Sequence, residues 1–151
     1  MEVSGSQQEG TLLAITAQLL HDLHTHVEAA YPGEGAGFLL GNDGGSRRTV
    51  TALVKLENAR EEKARSNRFL LTPGDYAFGE DEADRLGLTL LGVFHSHPDC
   101  PNVPSEYDRE WAMPWFSYII TRVDDCKAVS DRSWRLLEDR GAYEEEKLVI
   151  G

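Results

Sequence analysis

At 151 residues the chain has room for one hydrophobic core and falls short of the roughly 250 residues of a (β/α)8 barrel. Its formal net charge of −11 argues against nucleic acid as a partner, since phosphate binding takes clustered Lys and Arg. No apolar run approaches the roughly 18 to 20 residues of a membrane span, and the opening MEVSGSQQEGT lacks the pattern of a secretory signal, so a cytoplasmic location is expected.

Residues 1–10 are polar and are expected to be disordered, leaving 11–151 as a single domain. From Thr11 the apolar residues Leu12, Ile15, Leu19, Leu23 and Val27 recur at spacings of three and four, which predicts an amphipathic helix stopped by Pro32 and Gly33. Residues 37–41 and 49–56 read as strands joined by a turn at 42–45. The charged stretch 58–68 reads as a loop, followed by a short strand at 69–71. Thr72, Pro73 and Asp75 have the order of an N-cap, a first helical residue and a third, predicting a helix to about Leu86 with Gly87 as its stop. Residues 89–95 form an apolar run between Gly87 and Pro98, the mark of a central strand. A short helix at 105–113 and strands at 116–123, 127–130, 134–137 and 143–150 complete an α+β, α/β/α layered pattern. The acidic runs around Glu80–Asp84 and at Glu144, Glu145 and Glu146 are expected to be solvated faces.

Chemistry concentrates where the central strand ends, at His95-Ser96-His97-Pro98. In a strand, residues two apart share a face, so His95 and His97 project together while Ser96 turns away to bond locally. Pro98 ends the strand, and a helix opening at Ser105 carries Asp108 back toward the imidazoles. Two nitrogens and one carboxylate leave a fourth tetrahedral position for water, the arrangement of a catalytic rather than a structural zinc. These ligands are expected at an exposed mouth. Taken singly, Asp108 also suits a first-turn acid and Ser105 an ordinary N-cap. The HxE and PCxxC of zinc deaminases and the HExxH of helical zinc proteases are absent. His21, His24 and His26 read as surface or packing residues, and Trp111, Trp115 and Trp134 as core or partner-facing packing. Cys100 lies between the ligands, but neither it nor Cys126 belongs to a CxxC pair.

His95-Ser96-His97-Pro98, the seven residues from Pro98 to Pro104, and Ser105-x-x-Asp108 together resemble the JAMM motif of the MPN (Mov34/PAD1) metalloproteases. The segment from Tyr31 to Gly41 is similar to the family's first core strand, with Glu34 at the position of its glutamate, and the likeness continues through Asn58, Phe69 and residues 116–120. The resemblance implies a curved mixed β-sheet flanked by helices, a fold shared with cytidine deaminases. It implies one Zn2+ per chain held by His95, His97 and Asp108. It also implies Glu34 as general base, and Ser105 as a donor to the tetrahedral oxyanion. The implied reaction is amide or isopeptide cleavage at the Gly-Gly tail of a ubiquitin-like or β-grasp sulfur-carrier protein. A metal beside a sheet edge can align such a tail by strand addition. Arg60, Lys63, Arg65 and Arg68 are then available to meet an acidic carrier. The alternatives are a non-enzymatic MPN scaffold, which would have lost the ligands, and a general small-peptide metallopeptidase.

Overall fold

A computed structural model describes residues 11–57, 71–138 and 141–151; the N-terminal ten, the expected loop at 58–68 with its four basic residues, and most of the expected strand at 69–71 lie outside them. The first apolar segment does not begin a helix. Leu12–Ile15 forms a strand, β1, and the helix, α1, starts later at Ala17–Ala30. Thr16 decides the boundary: its backbone is extended and its hydroxyl accepts from Leu19 N at 3.1 Å, capping the first turn. Leu12 and Ile15 suit a helical stripe by spacing, but LLAI is also a run buried on both faces, and the strand reading wins.

The remaining elements are β2 (Ala36–Asp43), β3 (Arg47–Leu56), α2 (Pro73–Leu86), β4 (Thr89–Pro98), α3 (Glu106–Trp111), β5 (Ser117–Asp124), β6 (Lys127–Leu136) and β7 (Tyr143–Ile150). The strands run in the order β1-β3-β2-β4-β5-β6-β7, and β7 returns to pair with β1. The sheet is mixed: β1 is parallel to both its neighbours and β4 to β5, and the other pairs are antiparallel. The expected curved sheet is therefore present, and its curvature runs to closure. Because every described strand has two neighbours, the free edge expected beside the metal is not there. Only stretches of β3 past Thr49 and of β6 before Ser133 outrun β1 and β7, and α1 packs against both strands.

Two expectations fail for one reason. Residues 127–130 and 134–137 form a single strand, because the polar residues between them have partners inside the fold. Ser133 Oγ donates to Glu146 Oε1 at 3.0 Å, and Asp131 accepts from Thr121 Oγ1 at 2.7 Å. Glu146 is accordingly not part of a solvated run. It is 4% exposed and also accepts from Thr11 and Ser117, while buried Arg48 donates to Ser117 Oγ and to the Trp115 carbonyl. This network ties β1, β3, β5, β6 and β7 together where the ring closes.

Both sheet faces are covered, which is why the central strands read as continuous apolar runs. Leu39, Phe94 and Ile119 pack with Leu13, Ile15, Leu23 and Val27 on the α1 side. Leu40, Val93 and Ile120 pack on the other side with Phe38, Tyr118, Trp134 and Ala83 of α2. Gly79 lets α2 settle on β2, since a Cβ there would come within 2.7 Å of the Phe38 ring. The β2–β4 register shifts at Leu39/Leu40, leaving Leu91 without a partner on β2. Leu91 and Val93, two residues apart, consequently lie in different cores. This bulge resets the alternation and sends His95 and His97 to the Val93 face, away from α1. No helix among the described residues is long and apolar enough to cross a membrane.

Candidate metal centre

The last turn of sequence in β4 and the first turn of α3 meet at one point. Asp108 Oδ1 lies 3.4 Å from His95 Nε2, and Asp108 Oδ2 lies 3.2 Å from His97 Nε2. Asp108 is aimed by a capping box. Its backbone N–H donates to Ser105 Oγ at 3.1 Å, and its Oδ2 accepts from Ser105 N at 2.9 Å, so the carboxylate turns back over the helix start. The ligands do not sit at an exposed mouth: His95, His97 and Asp108 are 3%, 6% and 5% exposed. The loop of residues 99–104 forms the wall. Its Asn102 is buried, with Nδ2 donating to Ile120 O and Ser130 Oγ and its carbonyl accepting from Trp134 Nε1.

The donor set suits a small divalent ion. One atom from each of the three residues falls within 4.8 Å of the others. A tetrahedral ion with N and O ligands at about 2.0–2.2 Å needs ligand separations of about 3.3–3.6 Å, and each Nε2 has an Asp108 oxygen near that distance, Oδ1 for His95 and Oδ2 for His97. The Pro101 carbonyl, 2.8 Å from His97 Nδ1, can only accept, so Nδ1 carries a proton in either charge state: a protonated ring donates from Nε2 to Asp108, and a neutral ring turns the Nε2 lone pair to the cluster. Burial alone would raise the Asp108 carboxyl. The His95 charge and hydrogen bonds from both imidazoles and from Ser105 N outweigh it and hold the group well below the usual carboxylate range. Burial would likewise lower His95, but the Asp108 and Glu34 carboxylates overcome it and raise the imidazole. The Glu34 loop meets the end of the ligand-bearing strand, where Ala36 pairs with His95 and Gly35 O accepts from Ser96 N at 3.0 Å, and Glu34 is half-buried there. His95, His97 and Asp108 thus come together, with Ser105 beside them as an exposed helix cap and Glu34 on the adjoining loop.

The sequence profile described as prokaryotic homologs of the JAB domain matches residues 16–137. The chain belongs to this JAB-domain family. Among relatives, it is 30% identical over 122 residues to a probable TtuB-protein conjugate cleaving protease of Thermus thermophilus, covering 79% of this chain and 76% of that protein. It is 27% identical over 121 residues to a desampylase of Pyrococcus furiosus, covering 78% and 76%. A JAB1/MPN domain protein from Archaeoglobus fulgidus shares the fold, with a TM-score of 0.54 at 20% identity, covering 90% of this chain and 98% of that one. The resemblance drawn from the HSHP segment is borne out at the level of family and fold.

Several residues that shape this JAB-domain site carried no signal in the sequence. Ser96 does turn away from the ligand face, but its partner is distant: Ser96 Oγ accepts from Gly35 N at 2.9 Å. Tyr31 Oη donates to Asp99 Oδ2 at 2.6 Å. The His26 ring lies 3.2 Å from Ala36 O and 3.1 Å from Leu56 O, and packs edge-on against Phe94. These are contacts between segments far apart in the chain, and no local pattern announces them. Cys100 is exposed and stands outside the donor group. Burial, then the Glu34 charge, pushes its thiol up, away from the thiolate that binds metals.

Proposed function

We propose that this JAB domain is a zinc-dependent isopeptidase-type hydrolase. Its substrate is the amide bond that follows the C-terminal Gly-Gly of a ubiquitin-like or sulfur-carrier protein. The observation that carries the reading is the buried convergence of His95 Nε2, His97 Nε2 and the Asp108 carboxylate. Relatives named as a conjugate-cleaving protease and a desampylase support the substrate class. The complete donor set argues against a scaffold that has lost its ligands.

His95, His97 and Asp108 would hold one zinc, which when bound would supply Lewis-acid activation of water and of the scissile carbonyl. Glu34 takes the proton of the attacking water and passes it to the leaving amine. The Ser105 hydroxyl accepts from Asp108 N and keeps its own proton to donate to the tetrahedral oxyanion. Asp108 fixes the geometry of the pair of imidazoles, and the Pro101 carbonyl fixes the His97 tautomer. With the sheet closed, the tail crosses the strand ends instead of adding a strand, and glycines pass where side chains would clash.

The test uses a β-grasp carrier ending in Gly-Gly plus a short extension, and a version with both glycines changed to valine. Cleavage after the Gly-Gly, lost in the valine version, is expected. Equal cleavage of both removes the case for a narrow passage, and cleavage of unrelated peptides alone leaves a general peptidase.

A further inference from the structure

Glu34 stands on a loop between Gly33 and Gly35, where backbone freedom is greatest. A base so placed needs an external hold, and two hydrogen bonds supply one on either side of it. On the inner side, Gly35 and Ser96 bond reciprocally: Gly35 N donates to Ser96 Oγ at 2.9 Å, and Ser96 N donates to Gly35 O at 3.0 Å. Ser96 is 1% exposed and lies between the two histidines. On the outer side, Tyr31 Oη donates to Asp99 Oδ2 at 2.6 Å. Asp99 is itself anchored, its N donating to Val123 O at 2.8 Å and its Oδ1 accepting from Asp125 N at 3.2 Å. Behind the loop there is no slack, because a Cβ on Gly35 would come within 3.0 Å of Val27 Cα and 3.2 Å of Ala30 Cβ.

We infer that Ser96 and Tyr31 are positioning residues that clamp the Glu34 loop to the end of the ligand-bearing strand. The inference rests on the reading of Glu34 as the general base. The same strand then carries the histidines on one face and, through Ser96 on the other, fixes where the base stands relative to them. An error of about 1 Å in such placement costs about 100-fold in rate, so a bond far from the reacting atoms is worth keeping. The hydrogen bond to Asp99 pushes the Tyr31 phenol up to about 12, which keeps it a donor at any ordinary pH.

The test compares the zinc-loaded parent chain with Ser96→Ala, Ser96→Thr and Tyr31→Phe. It reads zinc content, hydrogen exchange at the Gly35 amide, and kcat and KM on a carrier ending in Gly-Gly-aminomethylcoumarin. Ser96→Ala is expected to speed Gly35 exchange about two- to tenfold and to lower kcat about ten- to hundredfold, with KM and zinc content unchanged. Ser96→Thr restores both, since the hydroxyl returns. Tyr31→Phe lowers kcat with zinc retained, and serves if Ser96→Ala does not fold. Unaltered Gly35 exchange in Ser96→Ala overturns the clamp whatever the turnover. Full kcat in both Ser96→Ala and Tyr31→Phe, or a kcat loss matched by loss of zinc, also overturns it. Glu34→Gln keeps the two ideas apart: full turnover in that variant sinks the base itself, whereas an inactive Glu34→Gln beside fully active clamp variants sinks only the clamp.

Discussion

The same local device opens two helices of this protein with different consequences. At α2, Thr72 N donates to Asp75 Oδ2 at 2.9 Å and Asp75 N to Thr72 Oγ1 at 3.1 Å. At α3, Ser105 N donates to Asp108 Oδ2 at 2.9 Å and Asp108 N to Ser105 Oγ at 3.1 Å. Both boxes satisfy two backbone donors that a helix start leaves over. Asp75 is half-exposed and has no imidazole beside it among the described residues, while Asp108 is buried and has two within 3.4 Å. A capping box therefore aims a carboxylate but does not give it chemistry. What differs is the strand that the helix start is folded against.

The largest expected effect breaks that comparison directly. Asp108→Asn loses a ligand and with it essentially all turnover, whereas Asp75→Asn leaves turnover at the parental level. An assay of conjugate cleavage on both variants, with folding followed by circular dichroism, checks this. Next comes Glu34→Gln, which removes a base but no ligand. Turnover should fall by roughly 100- to 10,000-fold with zinc retained; loss of zinc instead would make Glu34 a ligand.

The cap residues sharpen the comparison further. Thr72→Ala and Ser105→Ala should each cost about 0.5–2 kcal/mol of stability in thermal melts, the usual worth of an N-cap. Only Ser105→Ala should also lower kcat, by roughly 100- to 1,000-fold if its hydroxyl meets the oxyanion. Equal kcat in the two variants would leave Ser105 as a cap alone.

The smallest effect belongs to the opposite face of the sheet. There the His24 ring bonds Asp131 at 2.9 Å, and that hydrogen bond, opposed by burial and helped by the Asp131 charge, raises the imidazole above 6.5. A raised folded value means that the pair's contribution is fully present below pH 6.5 and is lost as pH climbs through the folded value. The ring is half-exposed, so the contribution is below about 1 kcal/mol once solvent screening is allowed for. The stability deficit of His24→Gln should therefore be greatest on the acid side and fade on the alkaline side; a deficit independent of pH would contradict the assignment.

What the sequence made legible was local. The helix at 72–86 was readable to the residue because Thr72, Pro73, Asp75 and Gly87 each act within one turn, and Gly87 indeed takes the left-handed conformation, φ 70°. The shared face of His95 and His97 was readable because alternation in a strand is local too. The start of the chain was misread because LLAI suits both a helical stripe and a strand buried on both faces, and only pairing with β3 and β7, set by residues more than 30 positions away, chooses between them. The continuity of β6 was hidden because Asp131 and Ser133 look like turn residues until Thr121, His24 and Glu146 are brought to them. At the site, the HSHP and SxxD segments named the three side chains that come together, His95, His97 and Asp108. The burial of those side chains was not legible, since it depends on Asn102 meeting Ile120, Ser130 and Trp134.

The central claim is that Asp108, unlike its counterpart Asp75, completes a metal site with His95 and His97. Metal analysis after zinc loading and removal of excess ion tests it most directly, on the parent, Asp75→Asn and Asp108→Asn. The expected result is one zinc per chain in the parent and in Asp75→Asn and none retained in Asp108→Asn, with retention falling in acid as the imidazoles take up protons. A parent without zinc, or an Asp108→Asn variant that holds it as well as the parent, would contradict the account.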